Sequence, residues 1–247
     1  MKRRQKYYFL DYTEKVSITK RILKILPKQK KDKNSIYIVC SEIVFIALRW
    51  KNLKGQIDID YNNLLSLIDI NDGYRDQITK ILPKMIHLWK QSYCKMGNPR
   101  PYIMGFSFDT YEVLYDQIEE YPDDEADTLA DGYIEERTIV AYGYSSKPQF
   151  ERGINDINMR VDDQRKWADK ETDRGHFIAH AIGGNIWVNI FPQRRDVNRG
   201  ASEAGKRYKS MEKYLLNNEG IFCFSRPIYF DFYNLPYLIE YGYIDRN

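Results

Sequence analysis

The chain has few of the residues that usually betray a metal or redox centre. Its 247 residues include three cysteines and three histidines. Cys40, Cys94 and Cys223 are far apart and odd in number, which implies no disulfide framework, and no CxxC or Cys/His spacing suggests zinc. No apolar run reaches the roughly 20 residues that cross a bilayer. The longest, residues 35–50 (SIYIVCSEIVFIALRW), is too short. A Sec signal peptide is also lacking, because Asp11, Glu14 and Lys15 interrupt the segment after the basic start at residues 1–6. These absences predict a protein made in the cytoplasm with no membrane partner, and they leave a non-Sec export route open. A strong charge of one sign is missing too, since the net charge is +3.

The charge is instead distributed in blocks. Residues 1–34 hold twelve Lys/Arg against three Asp/Glu, and residues 109–136 hold twelve Asp/Glu and no Lys/Arg. Basic residues return at Arg174, Arg194, Arg195, Arg199, Lys206, Arg207, Lys209 and Lys213. Clustered positive charge suits phosphate and would make binding salt-sensitive. For Lys209 and Lys213 taken alone, a solvated helix face accounts for the charge.

Hydrophobic spacing divides the chain into three expected parts. Residues 1–108 read as a mostly helical N-terminal region of unassigned role. Helical stretches are expected at 17–26, 35–50, 61–70 and 74–89, with Pro83 kinking or splitting the last and a strand start possible at 36–39. A strand is expected at 102–108. Residues 109–136 read as an acidic linker, or as a phosphate mimic that shields a basic cleft. The third part, residues 137–247, opens with a strand at 137–144 and ends with a hairpin formed by 221–232 and 237–244. His87, in the 74–89 stretch, reads as a packing or surface residue.

Within the third part, Asp173-Arg174-Gly175-His176 is followed by Ile178-Ala179-His180, Gly183-Gly184, Asn189-Ile190-Phe191-Pro192-Gln193, Asn198-Arg199-Gly200 and Met211-Glu212. A histidine can take a proton from water near neutral pH. An arginine can fork onto phosphate oxygens. An amide oxygen suits a hard cation such as Mg²⁺, which keeps most of its own waters.

These blocks, in this order, resemble the non-specific DNA/RNA endonucleases of the ββα-metal (His-Me finger) superfamily. The closest likeness is to the nuclease domains that end bacterial polymorphic toxins. The resemblance covers 173–212 well and 137–247 loosely. It implies an α+β fold with a ββα-metal core, a first strand at 175–180, a second at 187–191 and a helix after Asn198. Tyr208, Met211 and Leu215 would face the core from that helix, which would end at 217–220.

The resemblance also implies a role for each matching position. His176 would be the general base and Asn198 the direct ligand of one Mg²⁺, with Mn²⁺ able to substitute. Arg174 would hold the scissile phosphate. Asp173 would orient its neighbours without touching the metal. Asn189 would position the metal's waters or the histidine, and Glu212 would hold one of those waters. Arg194, Arg195 and Arg199 are candidate nucleic-acid contacts. His180 would share a strand face with His176 and act structurally or from beside the site. Pro192-Gln193 would set the strand-to-helix turn.

One spacing departs from the family. Fourteen residues separate Asn198 from Glu212, and Lys206 stands where the family places the glutamate. In one straight helix fourteen residues rise about 21 Å, too far for one metal site. Either residues 202–207 loop out around Gly205, or Glu212 lies outside the site and Glu203 substitutes. The expected activity is metal-dependent endonucleolytic hydrolysis of DNA and/or RNA by a toxin or effector with a cognate inhibitor protein. The alternatives are a phage-defence nuclease and an inactive nucleic-acid-binding module. Nucleic-acid preference and oligomeric state are not readable from the sequence.

Overall fold

The computed structural model describes residues 40–47, 59, 64, 67, 71–120, 133–148, 172–184, 188–229 and 236–244. Its elements in chain order are β1 (Cys40–Ala47), α1 (Tyr74–Met96), β2 (Ile103–Phe108), β3 (Tyr111–Glu120), β4 (Tyr133–Tyr144), β5 (Thr172–His176), β6 (Ile190–Arg194), α2 (Arg195–Asn198), α3 (Glu203–Asn217), β7 (Phe222–Ile228) and β8 (Leu238–Ile244). The class is α+β. A six-stranded antiparallel sheet has the order β1-β8-β7-β4-β3-β2, and β5 and β6 form a separate two-stranded sheet.

The sheet is covered on both faces. Alternate residues along its strands point to opposite sides. Val140, Tyr142, Phe222, Phe224, Leu238 and Ile244 meet Ile78, Ile81, Met85, Trp89 and Tyr93 of α1. Val113, Ala141, Cys223, Ile239 and Tyr241 face the other way, onto Phe177, Ile182, Phe191, Tyr208, Met211 and Leu215. The motif region is therefore one outer layer and α1 the other, with the sheet between them.

Helix α1 buries positions spaced three or four apart, which is one face of a 3.6-residue helix. Pro83 lies on its exposed side, and the helix runs through it without a break. The expected split at Pro83 is not found, because the buried stripe continues past it to Tyr93. His87 is exposed, within its sequence reading.

Two expectations are corrected. The spacing predicts a helix over the apolar run at 35–50, yet Cys40–Ala47 is a strand paired antiparallel with β8. A short apolar run with β-branched residues is ambiguous in period, and a distant partner strand decides it. Much of the acidic stretch is sheet rather than linker. Residues 111–120 are β3, and 133–136 open β4. Asp116 is fully buried and accepts bonds from Tyr93 Oη at 2.8 Å, Asn98 Nδ2 at 2.9 Å and the Tyr102 amide at 2.8 Å. The sheet thus runs across both expected boundaries, 108/109 and 136/137. Residues 121–132, the helical reading of 17–26 and most of that at 61–70 lie outside the described residues.

The C-terminal readings hold. Strands β4, β7 and β8 fall where the sequence placed strands, and β7 pairs with β8 antiparallel. Among the described residues no helix is long and apolar enough to cross a membrane.

Candidate active site

Strands β5 and β6 pair antiparallel, with Asp173 opposite Gln193, Arg174 opposite Pro192, Gly175 opposite Phe191 and His176 opposite Ile190. This register gives glycine a steric reason. A Cβ on Gly175 would lie 2.3 Å from Gln193 Oε1 and 2.4 Å from its Cβ, so the buried Gln193 side chain occupies that space. Phe177 and Phe191 stack at 4.3 Å and seat the hairpin on the sheet.

The strand is Thr172–His176 rather than 175–180, and this corrects the reading of His180. It ends at His176, and His180 opens a 3-10 turn, His180–Ile182, closed by Gly183 at φ 97°. The cause lies in Asn189. Its Oδ1 accepts the Ile178 amide at 2.8 Å, and its Nδ2 donates to the Ile178 carbonyl at 2.7 Å. The Ile178 backbone bonds a side chain instead of a strand, so the face shared by His176 and His180 does not form. The turn is moored to the sheet by Tyr111 Oη, which donates to the Ile182 carbonyl at 2.6 Å, and by the Ser146 amide to the same carbonyl at 3.0 Å. Asn189 itself is buried. Both atoms of its amide bond the Ile178 backbone, which fixes the chain just after His176.

The second strand is Ile190–Arg194 rather than 187–191, and it runs directly into α2. Helix α2 returns over β5 and converges on Asp173. Arg195 Nε bonds Asp173 Oδ1 at 3.0 Å. Arg199 forks onto both oxygens, Nε to Oδ2 at 2.7 Å and Nη2 to Oδ1 at 3.1 Å. Asn198 Nδ2 donates to Oδ2 at 3.3 Å. Burial pushes the Asp173 carboxyl up, but the bonds from Arg199, Arg195 and Asn198 outweigh it and hold the carboxyl below its ordinary value. Asp173 thereby ties β5 to Arg195, Asn198 and Arg199.

Arg194, Arg195 and Arg199 were expected to contact nucleic acid. Arg194 forks onto Asp196, at 2.9 and 2.6 Å, while Arg195 and Arg199 hold Asp173. The three arginines thus share two carboxylates, and Arg195 and Arg199 stay exposed. Arg174 differs. It is exposed on the strand face that His176 shares, and it makes no ion pair among the described residues.

The long gap between Asn198 and Glu212 is resolved by a break earlier than expected. The segment 202–207 does not loop out. Helix α2 ends at Asn198, the chain turns through Gly200 at φ 70°, and α3 starts at Glu203. Ser202 caps α3 by accepting the Gly205 amide at 3.1 Å. Gly205 lies inside α3, where a Cβ would stand 2.6 Å from the Asp196 carbonyl oxygen and 2.8 Å from that of Val197. Its role is close helix contact.

Helix α3 therefore folds back against the hairpin. Tyr208, Met211 and Leu215 are buried, as the spacing predicted. Tyr208 Oη donates to the His176 carbonyl at 3.1 Å, and Glu212 lies against the same phenol, raising it further beyond the dominant effect of burial. Glu212, 12% exposed, also takes Lys209 Nζ at 2.7 Å. Glu212 is thus brought to the His176 side of the site, while Glu203 is exposed at the far end of the helix. The sequence reading assigned Tyr208 to the core alone. Its signal was a tyrosine at a core position, which needs a partner for its hydroxyl.

Mg²⁺ fits this donor set. Asn198 is half-buried, and its Nδ2 is engaged by Asp173, which leaves Oδ1 as the amide atom for a cation. Such a site depends on a cation that keeps its own waters. Among the described residues no group of three or more His, Cys, Asp or Glu is placed to hold a metal, which is a different kind of site.

Comparison with family models, with curated proteins and with solved structures finds no match to the chain.

Proposed function

We propose that the chain is a metal-dependent endonuclease that hydrolyses phosphodiester bonds in DNA and/or RNA with little sequence preference. The observation that carries this reading is one hairpin bearing Arg174 and His176 that runs directly into a short helix whose Asn198 bonds Asp173 of the same hairpin. A ββα-metal core, in which the helix carries the metal ligand, has this order of parts.

His176 takes a proton from water, whose oxygen attacks phosphorus in line as the bond to the leaving oxygen breaks. Arg174, exposed beside it, binds the non-bridging oxygens and stabilises the charge that develops on them. Tyr208 fixes the backbone at His176, and Asn189 fixes it just beyond. Mg²⁺ held by Asn198 Oδ1 would act as a Lewis acid, neutralising charge on the phosphate and on the leaving oxygen. None of these groups reads a base, so backbone contacts dominate recognition.

A nuclease of this kind endangers the cell that makes it. The reading therefore includes a toxin or effector role and a cognate inhibitor protein. The test is incubation of purified protein with plasmid DNA and with structured RNA. Degradation of either in Mg²⁺ or Mn²⁺, abolished by EDTA, is the expected result. Tight binding with no cleavage would overturn it and favour a module that only binds.

A further inference from the structure

Arg194, Arg195 and Arg199 share two carboxylates, Asp196 and Asp173, and further positive charge for a long substrate lies nearby. Helix α3 carries it. Lys206 and Lys213 are exposed and make no ion pair among the described residues. Lys213 has no acidic residue three or four positions away, the spacing at which helix ion pairs form. Going round α3 from buried Tyr208 at about 100° per residue, Glu212, Lys209, Lys213 and Lys206 follow in that order. Lys213 and Lys206, about 140° and 160° round from Tyr208, stand on the outer face of the helix, and Lys209 lies between them and Glu212. Lys209 is bonded to Glu212 and packed where a Cβ on Gly200 would come within 3.3 Å of its Cγ.

We infer that the lysine stripe of α3 is the track on which the phosphodiester backbone of the substrate lies beyond the cleaved bond. This rests on the nuclease reading above. Seven residues of helix rise about 10 Å from Lys206 to Lys213. A nucleic-acid strand advances about 3.4 Å of axis per phosphate, so the stripe spans roughly three phosphates. Lysine ammonium groups grip such a strand as mobile point charges, with no preference for a base. The contacts are electrostatic and sequence-independent, as a non-specific nuclease requires.

The test uses the whole chain carrying Lys206→Ala with Lys213→Ala. Binding to a labelled duplex DNA and to an RNA of the same sequence is measured in EDTA over a range of KCl concentrations. A Lys84→Ala, Lys95→Ala chain is the control, because it loses the same charge from α1 on the opposite layer. Removing two phosphate contacts should flatten the slope of log affinity against log salt by about 1.8 on duplex DNA and about 1.4 if the RNA is single-stranded. The control should keep the wild-type slope. A flattened slope with either nucleic acid supports the track. Wild-type slopes with both, or equal flattening in the control, overturn it. The nuclease reading stands or falls separately, on cleavage by the wild-type chain in Mg²⁺.

Discussion

Asp173 gathers three side chains from α2 and its exit, and so sets where Asn198 stands. Its carboxyl is depressed in the fold, so it stabilises the native state above the ordinary aspartate value of about 3.9. That contribution is lost as pH falls through the lower folded value. Asp173→Asn should therefore melt below wild type at pH 6, and the two melting curves should converge as pH drops below about 4. A gap that stays constant across this range would show that the charge is not what matters. Asn189 acts through the backbone instead. Asn189→Ala leaves the Ile178 amide and carbonyl buried without their partner, at about 1–3 kcal/mol for each group. Chemical denaturation should show that loss, and cleavage by the fraction still folded should fall as well, because the same bonds set the chain after His176.

At the scale of elements, the site depends on how closely α3 approaches α2. Gly205→Ala places a methyl against two carbonyl oxygens of the Asp196-Val197 backbone, which cannot rotate away. The expected result is a cost of about 1–3 kcal/mol together with weaker Mg²⁺ dependence, read as a higher Mg²⁺ concentration for half-maximal cleavage. An unchanged Mg²⁺ response would show that α2 is placed independently of α3. Helix α3 is legible in the sequence because its determinants are local, while the hairpin is legible as two strands near the motif but not in their bounds. Tyr208, Met211 and Leu215 carry the helix face. The break after Asn198 was legible only as a spacing that could not be satisfied, since the Ser202 cap and the Gly205 contact involve neighbours that periodicity does not report. The extent of β5 was misread for the same reason, because the Asn189 bonds that end it come from eleven residues along the chain. Strand β1 was unreadable because its identity rests on β8, roughly two hundred residues away.

For the whole molecule, the central sheet joins what the sequence divided. Strands from the supposed N-terminal region and from the acidic stretch lie in the sheet that backs the site. An acidic residue such as Asp116 was indistinguishable from linker charge until its three donors were placed around it. A deletion test of an acidic shield must therefore be confined to residues 121–132, since removing 109–136 would take β3 out of the sheet. Expression of the intact chain should harm a bacterial host, and His176→Ala should relieve that harm at equal protein level. Harmless accumulation of an active wild-type chain would remove the need for an inhibitor. The most direct measurement is cleavage of plasmid DNA and structured RNA in Mg²⁺ by wild type and by His176→Ala, matched for folding by circular dichroism. A fall of about 10²–10⁴-fold is expected for loss of a general base, whereas wild-type rates in the variant, or cleavage that persists in EDTA, would contradict the assignment.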